Sequence, residues 1–193
     1  MNTALLKLTD SIYVLDICKN CSSTIKSLIL GVYNRQNELH NKLFNYAIDY
    51  KIKFPVDYKV DGIKVAVYRD PVERCVSVYT DKVLNYEENT KICKDLKTAN
   101  VKTFMDLLDY IKVHKTEEGH IDSQSNIIGN VKLDYLIPMP LFNKWLRKET
   151  NYTPIIANRS LYTYRPTAEE VQIIKDLYKE DYELPNRFKL YSL

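Results

Sequence analysis

The residues Lys64–Tyr79 constrain the fold of this chain most, because an apolar strand there turns directly into a helix. Arg69 and Asp70 follow the strand, and Pro71 stands where a helix commonly begins. Arg69 is therefore predicted at the carboxyl end of a strand, where open α/β sheets bind ligands, and its guanidinium can bind a phosphate bidentately. Ser77 adds a hydroxyl donor. The alternative is a surface pair of Arg69 and Asp70 beside an ordinary helix.

A second strand–loop–helix pattern lies near the start of the chain. Residues Ser11–Ile17 read as a buried strand, Cys18–Thr24 as a polar loop and Ile25–Leu30 as a helix. The N–H groups at the helix start, the loop hydroxyls and the Lys19 ammonium together favour an anion with several oxygens. The loop is not a Walker A loop, since that glycine pattern is absent. The alternative is a Ser/Thr-rich cap on a core helix.

Taken together and in their order along the chain, the two segments resemble the sulfotransferase superfamily, most closely its carbohydrate (Golgi-type, family 2) branch. The family's loop P-K-x-[AG]-x-[ST] is similar to Cys18–Ser23, and its motif R-[DNE]-P-x-x-R-x-x-S-x-Y matches Arg69–Tyr79 at every marked position. The resemblance continues in His120–Gln124 (family H-W-x-P-Q), in Leu133–Ile137 (family Y-D-[FY]-[IL]) and in Tyr178–Leu184 (family Y-x-x-D-[FY]-x-[LF]). The likeness therefore spans most of the chain.

The resemblance implies a sulfotransferase that moves a sulfuryl group from 3′-phosphoadenosine 5′-phosphosulfate (PAPS) to a hydroxyl of a carbohydrate or similar polar acceptor. With the strand–helix alternation, it predicts a three-layer α/β/α, P-loop-like domain with a small central parallel sheet. No metal is required by this scheme. The donor-binding residues it implies are Lys19, Asn20, Cys21, Ser22, Ser23, Thr24, Arg69, Ser77, Arg159 and Ser160.

Two residues are predicted to carry the chemistry. Lys19 would stabilise the charge that grows on the bridging oxygen as the S–O bond breaks. His120 would take the proton of the acceptor hydroxyl, since histidine titrates near neutral pH and occupies the family-like H-x-x-x-Q position. His40 and a carboxylate remain alternative bases, and His114, at the end of a predicted helix, is interpreted as structural.

Composition limits the other possibilities. The chain of 193 residues is 45% hydrophobic, which suits one domain over residues 1–193. Its net charge of +3 is small and its lysines are dispersed, which argues against nucleic-acid binding. No apolar run reaches the ~18 residues of a transmembrane helix, and no signal-peptide pattern begins the chain, so a cytoplasmic location is expected.

Other functions are weighed against this one. Cys18 and Cys21 form a C-x-x-C pattern that suits a redox pair or half a metal site, but no second such pair completes a metal site. A nucleotide or small-molecule kinase is the rival enzyme, because strand–loop–helix phosphate sites are shared across that architecture. A non-catalytic nucleotide-binding protein is the third possibility.

The remaining segments are predicted from periodicity and turn signals. The predictions are a helix over 38–49, a connection over 54–62, a helix over 103–113, a functional loop over 115–130, a short helix over 140–149 and a last helix that begins with a capping box at Thr167–Glu170.

Overall fold

The structure is a computed structural model that describes residues 4–29, 53–55, 59–85, 90–150, 152 and 162–192. The chain divides into two units. The first, named the sheet unit here, comprises Asn2–Tyr68, Ile128–Arg159 and Pro185–Leu193. The second, named the helical unit, comprises Arg69–Ile127 and Ser160–Leu184. The single domain predicted over residues 1–193 stays a prediction.

Five described strands form one mixed sheet. Their bounds are β1 Ala4–Thr9, β2 Ile12–Leu15, β3 Lys53–Pro55, β4 Ile63–Tyr68 and β5 Tyr135–Pro138. The order across the sheet is β3-β1-β2-β4-β5. Strands β2, β4 and β5 are parallel neighbours, whereas β1 is antiparallel to β2 and to β3.

The α/β fold class is thus confirmed. The sheet is mixed, however, whereas the sequence had predicted a parallel sheet. Residues 10 and 11 alone connect β1 to β2, and so short a connection joins antiparallel strands. The predicted connection over 54–62 also begins inside a strand, because β3 occupies Lys53–Pro55 and pairs with β1.

Nine helices lie in the described residues. They are α1 Ser22–Ile29, α2 Pro71–Val78, α3 Lys91–Thr98, α4 Phe104–His114, α5 Gln124–Ile128, α6 Phe142–Thr150, α7 Ala168–Leu177, α8 Lys179–Tyr182 and α9 Leu184–Arg187, with a π-helical turn at Tyr79–Val83 and a 3₁₀ turn at Met139–Leu141. Within this part of the chain, none of them has the length and apolar character needed to cross a bilayer. Helix α5 interrupts the predicted loop over 115–130, and the predicted helix over 38–49 lies outside the described residues.

Buried apolar side chains join the sheet to α1 and α6 in the sheet unit. The cluster includes Leu6, Val14, Val65, Val67 and Ile137 from the strands and Ile25, Leu28, Phe142, Trp145 and Leu146 from the helices. At alternate positions of the same strands, Leu5, Leu15, Ala66 and Leu136 are buried as well. Because successive strand residues point to opposite faces, side chains on both faces of the sheet are buried.

The helical unit has its own core, and two of its helices, α4 and α7, begin where the sequence indicates. Phe104, Leu107, Leu108 and Ile111 form the buried stripe of α4. The capping box at the start of α7 is confirmed, since Thr167 Oγ1 accepts from the Glu170 N–H and the Glu170 carboxylate accepts from the Thr167 N–H. These local signals predict the starts of α4 and α7 to within one residue.

Candidate active site

The first predicted phosphate-binding segment connects the carboxyl end of β2 to α1 in the sheet unit. Lys19 and Cys21 have φ angles of 68° and 62°, in the left-handed region. A residue with a side chain there costs roughly 1–2 kcal/mol of backbone strain. Such strain concentrates at ligand-binding segments. The loop therefore keeps a strained shape that glycine would adopt more easily.

Asn20 anchors this loop to the sheet. Its side chain is buried, and Nδ2 donates to the carbonyl oxygen of Val67 over 2.7 Å. Its N–H donates to the carbonyl oxygen of Ile17 over 3.1 Å. Because β2 and β4 are parallel neighbours, this bond holds the loop at the carboxyl end of β4. The Asn20 side chain, which was predicted to contact the donor, thus anchors the loop to β4.

Asp16 is a site-supporting residue that the sequence analysis missed. Its Oδ1 accepts from Ser22 Oγ over 2.6 Å, and its Oδ2 lies 2.7 Å from Lys26 Nζ. The Ser22 hydroxyl, predicted as a donor contact, is therefore engaged with a carboxylate. The sequence signal was an acidic residue directly after the buried strand, ahead of a Ser/Thr-rich helix start.

The remaining loop residues offer groups that suit an anion. Lys19 and Ser23 are half-buried, and Thr24 is buried in the first turn of α1. N–H groups at the first turn of a helix and the helix macrodipole both favour negative charge. An ammonium and two hydroxyls at this end of α1 can bind an oxyanion.

The second predicted segment begins the helical unit. Asp70 caps α2, because its Oδ1 accepts from the Val72 N–H over 2.8 Å and from the Glu73 N–H over 3.2 Å. Arg69 Nε lies 3.7 Å from Glu73 Oε2, and the Glu73 side chain is exposed. An ion pair this long, with one exposed partner, is weak, so it can yield to a phosphate. Ser77 lies half-buried on α2.

Arg74, the second arginine of this motif, donates hydrogen bonds to main-chain carbonyl oxygens of the protein. Its side chain is 2% exposed, Nη1 donates to the carbonyl oxygen of Asp122 over 2.6 Å and Nη2 donates to that of Gly119 over 2.9 Å. Both acceptors flank His120 in the chain. The motif therefore fixes the segment that contains the predicted base.

Glu118 holds the ring of His120, and it too was missed by the sequence analysis. His120 Nδ1 lies 2.9 Å from Oε1 and 2.8 Å from Oε2 of Glu118, and the His120 N–H donates to Oε2 over 2.7 Å. Burial by itself raises the pKa of Glu118, but the hydrogen bonds and charge of His120 outweigh it and lower that pKa. A carboxylate facing Nδ1 leaves Nε2 as the acceptor in the neutral ring.

The remaining candidates are His114, which the structure describes, and three residues that it does not describe. His114 ends α4, where Nδ1 lies 3.0 Å from Glu117 Oε2 and the ring stacks on Tyr110. Its structural role stays a prediction. His40, Arg159 and Ser160 lie outside the described residues.

The cysteines do not form a disulfide in the described part of the chain. Cys18 and Cys21 are both half-buried, and neither is in a disulfide. Burial raises the pKa of the Cys75 thiol to about 12, which keeps it protonated and unreactive. The described residues contain no group of three or more His, Cys, Asp and Glu side chains placed to hold a metal ion.

A family model described as "Sulfotransferase family" matches residues 3–127. That range covers more than half of the chain and includes both strand–turn–helix segments, His120 and Gln124. Comparison with curated proteins and with solved structures gives no match.

Proposed function

The chain belongs to the sulfotransferase family and is a sulfotransferase; from this premise we propose that it transfers the sulfuryl group of PAPS to a hydroxyl of a carbohydrate or similar polar acceptor. Sulfuryl transfer of this kind needs a bound donor, a stabilised leaving group and an acceptor that loses its proton.

The observation that supports this proposal most is the position of Arg74. Within the helical unit its guanidinium links α2, which carries Ser77, to the segment 119–122, which carries His120. The predicted 3′-phosphate residues and the predicted base are therefore parts of one hydrogen-bonded framework. An enzyme that must orient a nucleotide donor toward an acceptor hydroxyl benefits from such a shared framework.

For the donor, we assign separate groups to its two anionic ends. Lys19 with Ser23 and Thr24 binds the 5′-phosphosulfate, and the Lys19 ammonium stabilises the negative charge that develops on the leaving oxygen. Arg69 with Ser77 binds the 3′-phosphate through charge-assisted hydrogen bonds. Arg159 and Ser160 stay predicted donor contacts.

For the acceptor, we assign His120 as general base. The carboxylate of Glu118 accepts a hydrogen bond from Nδ1–H, so Nε2 is free to take the hydroxyl proton. The same carboxylate then stabilises the imidazolium that forms, as a buried acid does in other histidine-based sites. His40 remains the first alternative base.

Ligand binding tests the donor assignment. Thermal unfolding is measured with 3′-phosphoadenosine 5′-phosphate (PAP) and with ATP, each with and without Mg²⁺. A ligand at 100 times its Kd adds about 2.7 kcal/mol to native stability, so the proposal expects a clear shift with PAP. A shift with ATP and Mg²⁺ but none with PAP would indicate a kinase instead.

Turnover tests the reaction itself. PAP release from PAPS is measured over a panel of neutral and sulfated saccharides and of simple polar alcohols. The proposal expects release that depends on an acceptor. PAP binding without release on any acceptor would indicate a nucleotide-binding protein without activity.

A further inference from the structure

The side chain of Gln124 makes two hydrogen bonds to the main chain of a single residue, Arg69. Gln124 Oε1 accepts from the Arg69 N–H over 3.0 Å, and Nε2 donates to the Arg69 carbonyl oxygen over 2.8 Å. Gln124 is 0% exposed, so water does not compete for these bonds. The amide thus binds the Arg69 peptide groups as a neighbouring strand would, although β4 has already ended at Tyr68.

A buried carboxylate determines which way this amide faces. Asp181 is 0% exposed, and its Oδ2 accepts from the Gln124 N–H over 3.0 Å and from Gln124 Nε2 over 3.3 Å. Its Oδ1 accepts from the N–H and from the hydroxyl of Ser125, each over 2.8 Å. Because a carboxylate only accepts, Nε2 must face Asp181, and Oε1 is then left for the Arg69 N–H.

The main chain of Arg69 matters because it sets the direction of the Arg69 side chain. Arg69 lies in the two-residue link between β4 and α2, outside both elements. On the other side of this link, Asp70 is fixed as the cap of α2. Gln124 therefore holds the one link residue that the α2 cap does not.

We propose that Gln124, oriented by Asp181, is a positioning residue that aims the Arg69 guanidinium at the 3′-phosphate of the donor. This inference rests on the proposed function and deepens it. Neither Gln124 nor Asp181 needs to touch the donor in this arrangement, and both act through Arg69. A misplaced guanidinium loses its bidentate geometry, and displacements of this kind cost about tenfold or more.

Calorimetry with PAP and with adenosine 5′-phosphate, which lacks the 3′-phosphate, tests the proposal. The wild-type protein should prefer PAP. Gln124→Ala should lower PAP affinity about tenfold, as expected for a misaligned charged contact, and leave adenosine 5′-phosphate affinity nearly unchanged. The Arg69→Ala, Gln124→Ala double variant should bind PAP no more weakly than Arg69→Ala alone, because both changes act on one contact.

Two further variants separate positioning from general destabilisation. Asp181→Asn keeps the shape of the carboxylate and should lower the PAP preference in the same direction, which covers the case in which Gln124→Ala does not fold. Glu170→Gln changes a buried carboxylate of the same unit that contacts Tyr164 and Thr167, so it should lower the unfolding temperature without changing the PAP preference.

The outcomes distinguish this inference from the function on which it rests. A wild-type protein that does not prefer PAP would overturn the donor assignment and this inference with it. A wild type that prefers PAP, with variants at 124 and 181 that keep the same preference or with additive losses in the double variant, would overturn the positioning role alone.

Discussion

The two proposed phosphate-binding segments are both strand–turn–helix connections, yet different interactions hold them in shape. The segment after β2 is held mainly by residues close in the chain, since Asp16 bonds Ser22 six positions later and also pairs with Lys26. Asn20 adds one long-range bond to Val67. The segment after β4 is held by distant residues: Arg74 bonds Asp122, 48 positions away, and Arg69 bonds Gln124, 55 positions away.

The proposed binding of phosphate can therefore depend on local structure in one segment and on long-range structure in another. The loop after β2 contains its own strain and its own supporting carboxylate, apart from the bond of Asn20 to Val67. The segment after β4 has an ordinary helix start, but its arginines are placed by buried polar contacts. The first segment should therefore be disturbed mainly by substitutions within it. The second segment should also be disturbed by substitutions at its distant partners.

The largest effect is expected in the segment that Arg74 holds. His120→Ala should lower kcat by about 10²–10⁴-fold, as loss of a general base does, while PAP affinity stays nearly intact. Steady-state kinetics measure kcat, and calorimetry measures the affinity for PAP.

His114→Ala is the matched control for this variant, because His114 also pairs with a glutamate at 3.0 Å but ends α4. It should leave kcat unchanged. An active His120→Ala enzyme would contradict the assignment and would move the search to His40 and then to a carboxylate.

The next effect tests the loop after β2. Lys19→Ala should lower kcat by about 10²–10³-fold and raise the donor KM by much less, because the ammonium acts mainly in the transition state. Initial rates over a range of PAPS concentrations separate the two constants. Lys144→Ala, at an exposed position of α6, should change neither. A change confined to KM would make Lys19 a binding residue only.

A smaller effect is expected for the arginine after β4. Arg69→Ala removes a charged hydrogen bond worth roughly 1.5–3 kcal/mol, so PAP affinity should fall about ten- to hundredfold. Affinity for adenosine 5′-phosphosulfate, which lacks the 3′-phosphate, should change little. Calorimetry measures both, and Arg147→Ala on the exposed face of α6 controls for lost positive charge. Equal losses for both nucleotides would contradict a 3′-phosphate contact.

The smallest effect concerns the local strain of the first segment. Because Cys21 has φ of 62°, Cys21→Gly should be more stable than Cys21→Ala. The expected difference is about 1 kcal/mol, the usual strain of a side chain in the left-handed region. Denaturant unfolding of the two variants measures it.

Lys175 provides the control, since it is exposed within α7 and helical glycine is unfavourable there. At that position Ala should be more stable than Gly. Equal stability of the two variants at 21 would show that the loop is not locally strained.

Much of the local structure of this protein follows from its sequence alone, as does its family. Patterns within a few residues predict the connections from β2 to α1 and from β4 to α2, the capping box at Thr167 and the apolar stripe of α4. The match to the sulfotransferase family covers both strand–turn–helix segments.

The tertiary structure alone decided which residues support those motifs. The antiparallel pairing of β1 with β2 and β3, the bond of Arg74 to the carbonyl oxygens beside His120 and the bond of Gln124 to Arg69 join positions that no local period relates. A buried polar group must find a hydrogen-bond partner, but which partner it finds depends on how the elements pack. The resemblance to the family therefore marks the positions of Arg74, Gln124 and Asp181, whereas only the packed chain shows what each of them holds.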